Sequence, residues 1–265
     1  MGLFSFFKKK PPVSVIESSQ CCICLKILSG RVAQDAWANS AHDYHHLVFC
    51  YSCHRIISRH TSAGSYQYSD GRAICGLCKK VAITDSIAVN RSKRKVLALL
   101  EAVGFQDIPK NIEIVLSGLH DLSSHSRKRN TAGLTLSHVH FSNNKRVGLT
   151  HQIGVLYGLP QIEFEAVLAH ELLHVWQNEK EFKFSPLYNE GLCELGSFLI
   201  YSNDPSDLAK FLIKRMSESK DPVYGNGFRL MLNKLQALGW KRLMADLLKN
   251  KKGYESSVLR KIFGR

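Results

Sequence analysis

His170-Glu171-Leu172-Leu173-His174 is the stretch whose reading decides the architecture of this chain. On a helix, positions i and i+4 share a face, so both imidazoles can reach one Zn²⁺. Glu171, next to the first histidine, then stands where a general base could act on a zinc-bound water. The surroundings fit a helix: Phe164, Val167, Leu168, Leu172 and Val175 recur at three- and four-residue steps. Glu163 and Glu165 fall in its first turns, where the helix dipole favours carboxylates, and Gly158-Leu159-Pro160 closes whatever precedes it. Such a pentapeptide also arises by chance on ordinary surface helices, so a third ligand is needed to decide the matter.

Asn189-Glu190-Gly191-Leu192-Cys193-Glu194 supplies that candidate, 16 positions after His174 and at the opening of an apolar helix over 192–201. A zinc held by two histidines needs one more protein ligand and an open position. Glu190 is the candidate ligand, and Glu194, one turn on, is placed to accept the free N–H of a ligating imidazole. The alternative is two solvated glutamates, which sits poorly with Leu192, Cys193, Leu195 and Phe198 around them. Cys193 itself reads as core packing. The Asn-Glu-x-x-small-acid pattern resembles the second motif of thermolysin-like gluzincins.

Seven of the eight cysteines lie between Cys21 and Cys78, six of them as the pairs Cys21/Cys24, Cys50/Cys53 and Cys75/Cys78. With no export signal ahead of them, C-x-x-C pairs read as zinc knuckles rather than disulfides. Cys50, Cys53, Cys75 and Cys78 make a full four-thiolate set. Cys21 and Cys24 need two more ligands. His42 and His45 keep a two-residue gap and His46 is their rival, while Cys22 is left as a spectator thiol. The ligand order resembles a LIM domain, in which the first zinc takes two Cys, a His and one further ligand and the second takes the last four. Leu47 and Val48 stand where that pattern has a Cys, so the first site must use two histidines or be degraded. The expectation is three Zn²⁺, one catalytic and two structural.

The net charge of +14 suggests acidic partners. Its basic clusters, at 91–95, 127–129, 241–242 and 249–265, carry no aromatic-interleaved motif, so nucleic acid is not an expected partner. No run of eighteen apolar residues exists, and the cytoplasm is the expected compartment. Met1-Gly2-Leu3-Phe4-Ser5-Phe6-Phe7-Lys8-Lys9-Lys10 is not a secretory signal, and Phe6 stands where a myristoylation pattern wants Ser or Thr. It reads as a flexible basic leader, with peripheral contact to anionic lipid through the N-terminus as the alternative. The chain divides into a leader (1–18), a double zinc module (19–82), a catalytic-type domain (83–250) and a basic tail (251–265). A helix over 91–103, strands over 112–116, 131–141 and 147–156, then the zinc helix and helices near 207–217, 228–238 and 240–250 give an α+β order. The strand over 147–155 is a candidate to pair with an extended substrate. His138, His140 and His151 read as ordinary histidines.

The chain from residue 131 onward resembles the DA1 family of LIM-associated metallopeptidases. The resemblance is carried by Thr131-Ala132-Gly133-Leu134-Thr135-Leu136-Ser137, Leu156-Tyr157-Gly158-Leu159-Pro160, Leu168-Ala169-His170-Glu171-Leu172-Leu173-His174-Val175-Trp176, Glu190-Gly191-Leu192-Cys193 and Pro222-Val223-Tyr224-Gly225-Asn226-Gly227-Phe228-Arg229. It implies a LIM-like module followed by a gluzincin-like domain with an antiparallel sheet, a zinc helix and C-terminal helices. It also implies zinc-dependent hydrolysis of protein substrates, with a protein partner for the LIM-like module. Plant members carry ubiquitin-interacting segments ahead of the LIM domain, and this chain is expected to lack them. By analogy with gluzincins, Tyr224, in a glycine-flanked turn, is the candidate oxyanion donor, and a packed tyrosine is the equal alternative; Asn226 and Arg229 are weaker candidates. Two rival readings are a DNA-associated SprT-like protease, which wants a third histidine, and a non-catalytic zinc-binding adaptor.

Overall fold

The computed structural model describes residues 20–125, 131–143 and 145–251. The leader, the 127–129 cluster and all but the first residue of the tail lie outside them, and with them the reading of lipid contact.

The first sixty described residues are built around turns rather than long elements. Hairpin β1 (Val32–Gln34) with β2 (Ser40–His42) and hairpin β3 (Ser65–Gln67) with β4 (Ala73–Cys75) are each antiparallel. Isolated bridges Gln20↔Ile27 and Phe49↔Ile56 close a turn around each leading cysteine pair. The short helix α1 (Gly76–Lys80) is capped by the Cys75 sulfur, which accepts from Cys78 N. Strands of three residues bury little apolar surface, so metal ligation is the natural source of their stability.

Helix α2 (Ser86–Ala102) begins where the Asp85 side chain accepts from Ala88 N. It starts before the expected 91–103 span because that cap lies upstream of the basic run. β5 (Glu113–Ser117) and α3 (Leu119–His125) follow, then the long hairpin β6 (Gly133–Ser142) and β7 (Lys145–Leu156). The sheet order is β5-β7-β6, with β6 antiparallel and β5 parallel to β7. The expected antiparallel sheet is therefore mixed. The chain leaves β5 through α3 and β6 before it returns as β7, which lets β7 run in the direction of β5. A second expectation falls in part. β6 takes one edge of β7 along 145–155 and β5 takes the other only over Gln152–Leu156, so a substrate strand cannot pair with the 152–155 part of the segment.

Four helices complete the chain: α4 (Gln161–Glu179), α5 (Pro186–Ser202), α6 (Asp207–Ser217) and α7 (Tyr224–Lys249), the last broken at Gly239. α5 starts at Pro186 rather than near Glu190, because a proline at the first helical position suits an unpaired N–H. α4 is the central element: Phe164, Leu168, Leu172, Val175 and Trp176 are all buried. Trp176 stacks on Phe182 and meets Phe105 edge-on, and its Nε1 donates to Gln106 O at 3.0 Å. The far end of α4 is tied to the sheet through His151, whose Nδ1 faces Ser137 Oγ at 2.8 Å and whose Nε2 faces Glu179 Oε1 at 3.0 Å. No helix among the described residues is long and apolar enough to cross a membrane.

Candidate metal centres

The helical spacing of His170 and His174 turns both side chains toward α5, which brings Glu190 back across them. Glu190 Oε2 lies 3.2 Å from His170 Nε2 and 3.5 Å from His174 Nε2. The other ring nitrogens are held from behind. His170 Nδ1 faces Glu194 Oε1 at 3.4 Å, and His174 Nδ1 faces Gln177 Oε1 at 3.2 Å. Gln177 is fixed in turn, its Nε2 donating to Asn189 O at 3.0 Å. Such outer partners set the tautomer of a ligating histidine.

Burial alone would lower the His170 pKa, but hydrogen bonds to Glu190 and Glu194 more than offset it and push the imidazole well above its usual value. Burial likewise acts to raise Glu190, yet the two histidines hold its carboxylate well below the usual range. The three side chains thus favour a positive charge at their meeting point, where a metal cation would displace the proton. Two Nε2 atoms and one carboxylate oxygen are the donor set of an open zinc site.

Cys193 packs in the core as expected, and it also touches the site. It is fully buried, its Sγ is 3.4 Å from His174 Nδ1, and with His170 and His174 it also forms a group able to hold a metal. The Glu190 set is the better one. Both Nε2 atoms face Glu190, Cys193 sits on the opposite nitrogen of His174, and burial followed by the Glu190 charge keeps its thiol protonated.

Glu171 faces the sheet. Thr135 Oγ donates to Glu171 Oε2 at 2.7 Å. Gly133 leaves room on the other side, since a Cβ there would come within 2.6 Å of Glu171 Oε1. His170, Glu171, His174, Glu190, Thr135 and Tyr224 line one cleft of about 380 Å³. Tyr224 is the first residue of α7 rather than part of a turn, and its ring stacks on His170 at 6.0 Å. Burial, then the charge of Glu190, raises its pKa, so the phenol remains a donor. Asn226 and Arg229 turn elsewhere: Arg229 bonds Asn226 Oδ1 at 2.6 Å and Ser219 O at 2.7 Å, bracing the loop before α7. His138 and His140 are exposed on β6.

Two further groups lie in the N-terminal segment. Cys50, Cys53, Cys75 and Cys78 are all buried, with ligand atoms within 4.8 Å of one another. Hydrogen bonding from Cys53, Cys75 and Cys78 holds the Cys50 thiol far below its usual range, while Cys78 is pushed far up, Cys50 first among the causes. Four cysteine sulfurs this close are the donor set of a closed metal site. Cys21, Cys24, His42 and His45 form the other group, with Cys24 Sγ 3.6 Å from His42 Nδ1. His45 Nε2 is buried with no hydrogen-bond partner, and His46 is exposed and outside the group. All eight cysteines are free, and Cys22 is buried outside both groups.

The places of Thr135, Gly133 and Gln177 at the site were missed by sequence reasoning. Only Gln177 had a signal, one turn beyond His174 on the same helical face.

A family model described as DA1-like, Protein DA1, matches residues 81–204. Protein DA1-related 2 of Arabidopsis thaliana is 24% identical over 254 residues, covering 71% of this chain and 48% of that protein. Protein DA1 of the same plant is 23% identical over 248 residues, covering 71% and 46%. The chain thus spans about half the length of the curated relatives it matches. No solved structure matches it. The matched segment takes in α4 and α5, hence His170, Glu171, His174 and Glu190, and over it the chain is similar to the DA1 family.

Proposed function

We propose that this chain is a zinc-dependent peptidase of gluzincin type, with a LIM-like double zinc module that engages a protein partner or substrate. The observation that carries the reading is the meeting of His170 Nε2, His174 Nε2 and Glu190 Oε2 beside a glutamate held by Thr135 in the same cleft. Zinc, when bound there, supplies a Lewis acid that polarises a carbonyl and acidifies water.

The chain's own residues do the rest. Glu171, 6% exposed and oriented through Oε2, has Oε1 to take a proton from the attacking water and return it to the leaving amine. Tyr224, kept protonated, donates toward the oxyanion. β6 offers the sheet edge beside the cleft, with Gly133, Leu134 and Thr135 on its wall, so an extended substrate would add there. Glu190 in place of a third histidine favours this reading over the SprT-like one. An ordered base and a phenol donor in the cleft favour it over a non-catalytic adaptor.

Cleavage of casein by the zinc-loaded protein tests the proposal. Glu171→Gln should retain about three zinc ions per chain, the number ligand counting gives, and lose hydrolysis by at least about 100-fold. Equal cleavage by this variant would remove Glu171 from its role, and absence of cleavage by the wild type would favour the adaptor.

A further inference from the structure

A second pocket, of about 500 Å³, shares His170, Glu171 and Tyr224 with the metal cleft and extends to Glu163, Arg215 and Tyr201. Two buried glutamates of α4 differ sharply in how they are satisfied. Glu165, fully buried, accepts from Ser92 and Gln161 at Oε1 and from Lys95 at Oε2, so both its oxygens are engaged. It lines a separate cavity of about 390 Å³ and offers that cavity no open acceptor. Glu163 is 6% exposed, and its Oε1 accepts from Arg215 Nη2 at 3.1 Å. Its Oε2 is buried and has no hydrogen-bond partner. Arg215 is not free to cover both oxygens, because its Nη1 donates to Ser52 O at 3.2 Å.

An unsatisfied carboxylate oxygen at such depth costs free energy unless something else supplies a donor. The rest of the wall says what kind of donor. Besides Glu163 it carries the carboxylates of Glu171, Glu194 and Asp221, against Arg215 as the lone lysine or arginine. Val167 and Met216 add an aliphatic flank suited to a hydrocarbon stem.

We propose that this pocket is the side-chain specificity subsite of the enzyme and that it takes a basic substrate residue, lysine or arginine, whose cationic head meets Glu163 Oε2. The proposal rests on the peptidase reading for its biological meaning, but its chemistry is that of a cation site and can be tested alone. A charge-assisted hydrogen bond to a buried carboxylate is strong, and a neutral isostere would leave the oxygen unsatisfied.

Two measurements on the full, zinc-loaded chain keep the subsite and the reading apart. The first is an NMR titration with N-acetyl-lysine amide and N-acetyl-norleucine amide. The lysine compound should bind about 10–100-fold more tightly, and in Glu163→Gln the advantage should fall to within about 2-fold. Glu163→Asp, which withdraws the carboxylate by one methylene, should give an intermediate ratio and serves if the amide variant does not fold. Equal binding in the wild type, or an advantage that survives loss of the Glu163 charge, overturns the subsite. The second is a peptide set carrying lysine, arginine, norleucine or glutamate next to the cleaved bond. Basic peptides should show about 10–100-fold higher kcat/KM. Cleavage with no such preference overturns the subsite and leaves the peptidase reading intact. A lysine-selective pocket in a protein that cuts no peptide or casein supports the cation site and overturns the peptidase reading.

Discussion

At Gly133 one added carbon decides whether Glu171 can stay where it is. A Cβ there would lie 2.6 Å from Glu171 Oε1 and 2.6 Å from Val167 Cγ1, and Val167 is one helical turn before Glu171 on α4. A misplacement of the order of 1 Å at a reacting group can cost ~100-fold in rate. Gly133→Ala should therefore cut hydrolysis by about that factor while the metal content, set by His170, His174 and Glu190, stays unchanged. Peptide turnover measured alongside zinc analysis checks both halves; full activity would mean that Glu171 works from another rotamer. At this scale the sequence was a good guide wherever helical spacing alone fixed the geometry, as for His170, His174 and Glu194. It was silent on Thr135 and Gly133, because a strand residue meets α4 only once the sheet has been laid against it. Cys193 is core packing as read, and its contact with His174 was not legible for a related reason: it depends on how α5 crosses α4.

That crossing is decided at the level of elements. α5 is packed between α4 and α7, and it approaches α7 closely enough that a Cβ on Gly191 would come within 2.4 Å of Gly227 O. The obstacle is backbone, which cannot rotate away. Gly191→Ala should destabilise the fold by about 1–3 kcal/mol or more, the usual cost of overpacking a tight contact. Because Gly191 follows Glu190, the same displacement should weaken zinc binding. A denaturant midpoint and a chelator competition read the two effects, and a variant as stable as the wild type would show that the two helices have room to separate. The direction of β5 is also a property of elements and was not legible. Alternation marks a strand, but nothing within 112–116 says which way its neighbour runs. The consequence is spatial: β7 lies between β5 and β6, and β6 is left as the edge that borders the cleft.

On the scale of the whole molecule, the cysteine-rich N-terminal module is seated on the core by polar contacts to backbone carbonyls. Tyr68 OH donates to Gly158 O at 2.9 Å, Arg72 Nη2 to Tyr157 O at 2.9 Å, and Arg215 Nη1 to Ser52 O at 3.2 Å. Tyr157 and Gly158 fall in the quoted 156–160 stretch, but nothing there says what meets them, because the seat joins segments 85 to 163 positions apart. Arg72 is aligned by Asp70 at 2.8 Å, with 4% and 14% of their side chains exposed. Burial acts to raise the Asp70 pKa, but Arg72 more than offsets it and the net shift is downward. A depressed carboxylate stabilises above its unfolded value, about 3.9, and that contribution is lost as pH falls through the lower folded value. Asp70→Asn should remove this acid-sensitive part of the seat while leaving its stability at neutral pH reduced, which stability measured against pH in both proteins would test. The seat also couples the four-cysteine group to the cleft, because Ser52 stands between Cys50 and Cys53 and its carbonyl holds the arginine that pairs with Glu163. Cys78→Ser removes one ligand of that group, and a site of this kind supplies much of a small module's folding energy. Amide hydrogen exchange should then rise not only over 50–80 but also across 157–160 and 208–217, while β6 and β7 stay protected. Loss of protection confined to 50–80 would mean that the module rides on the core without shaping it.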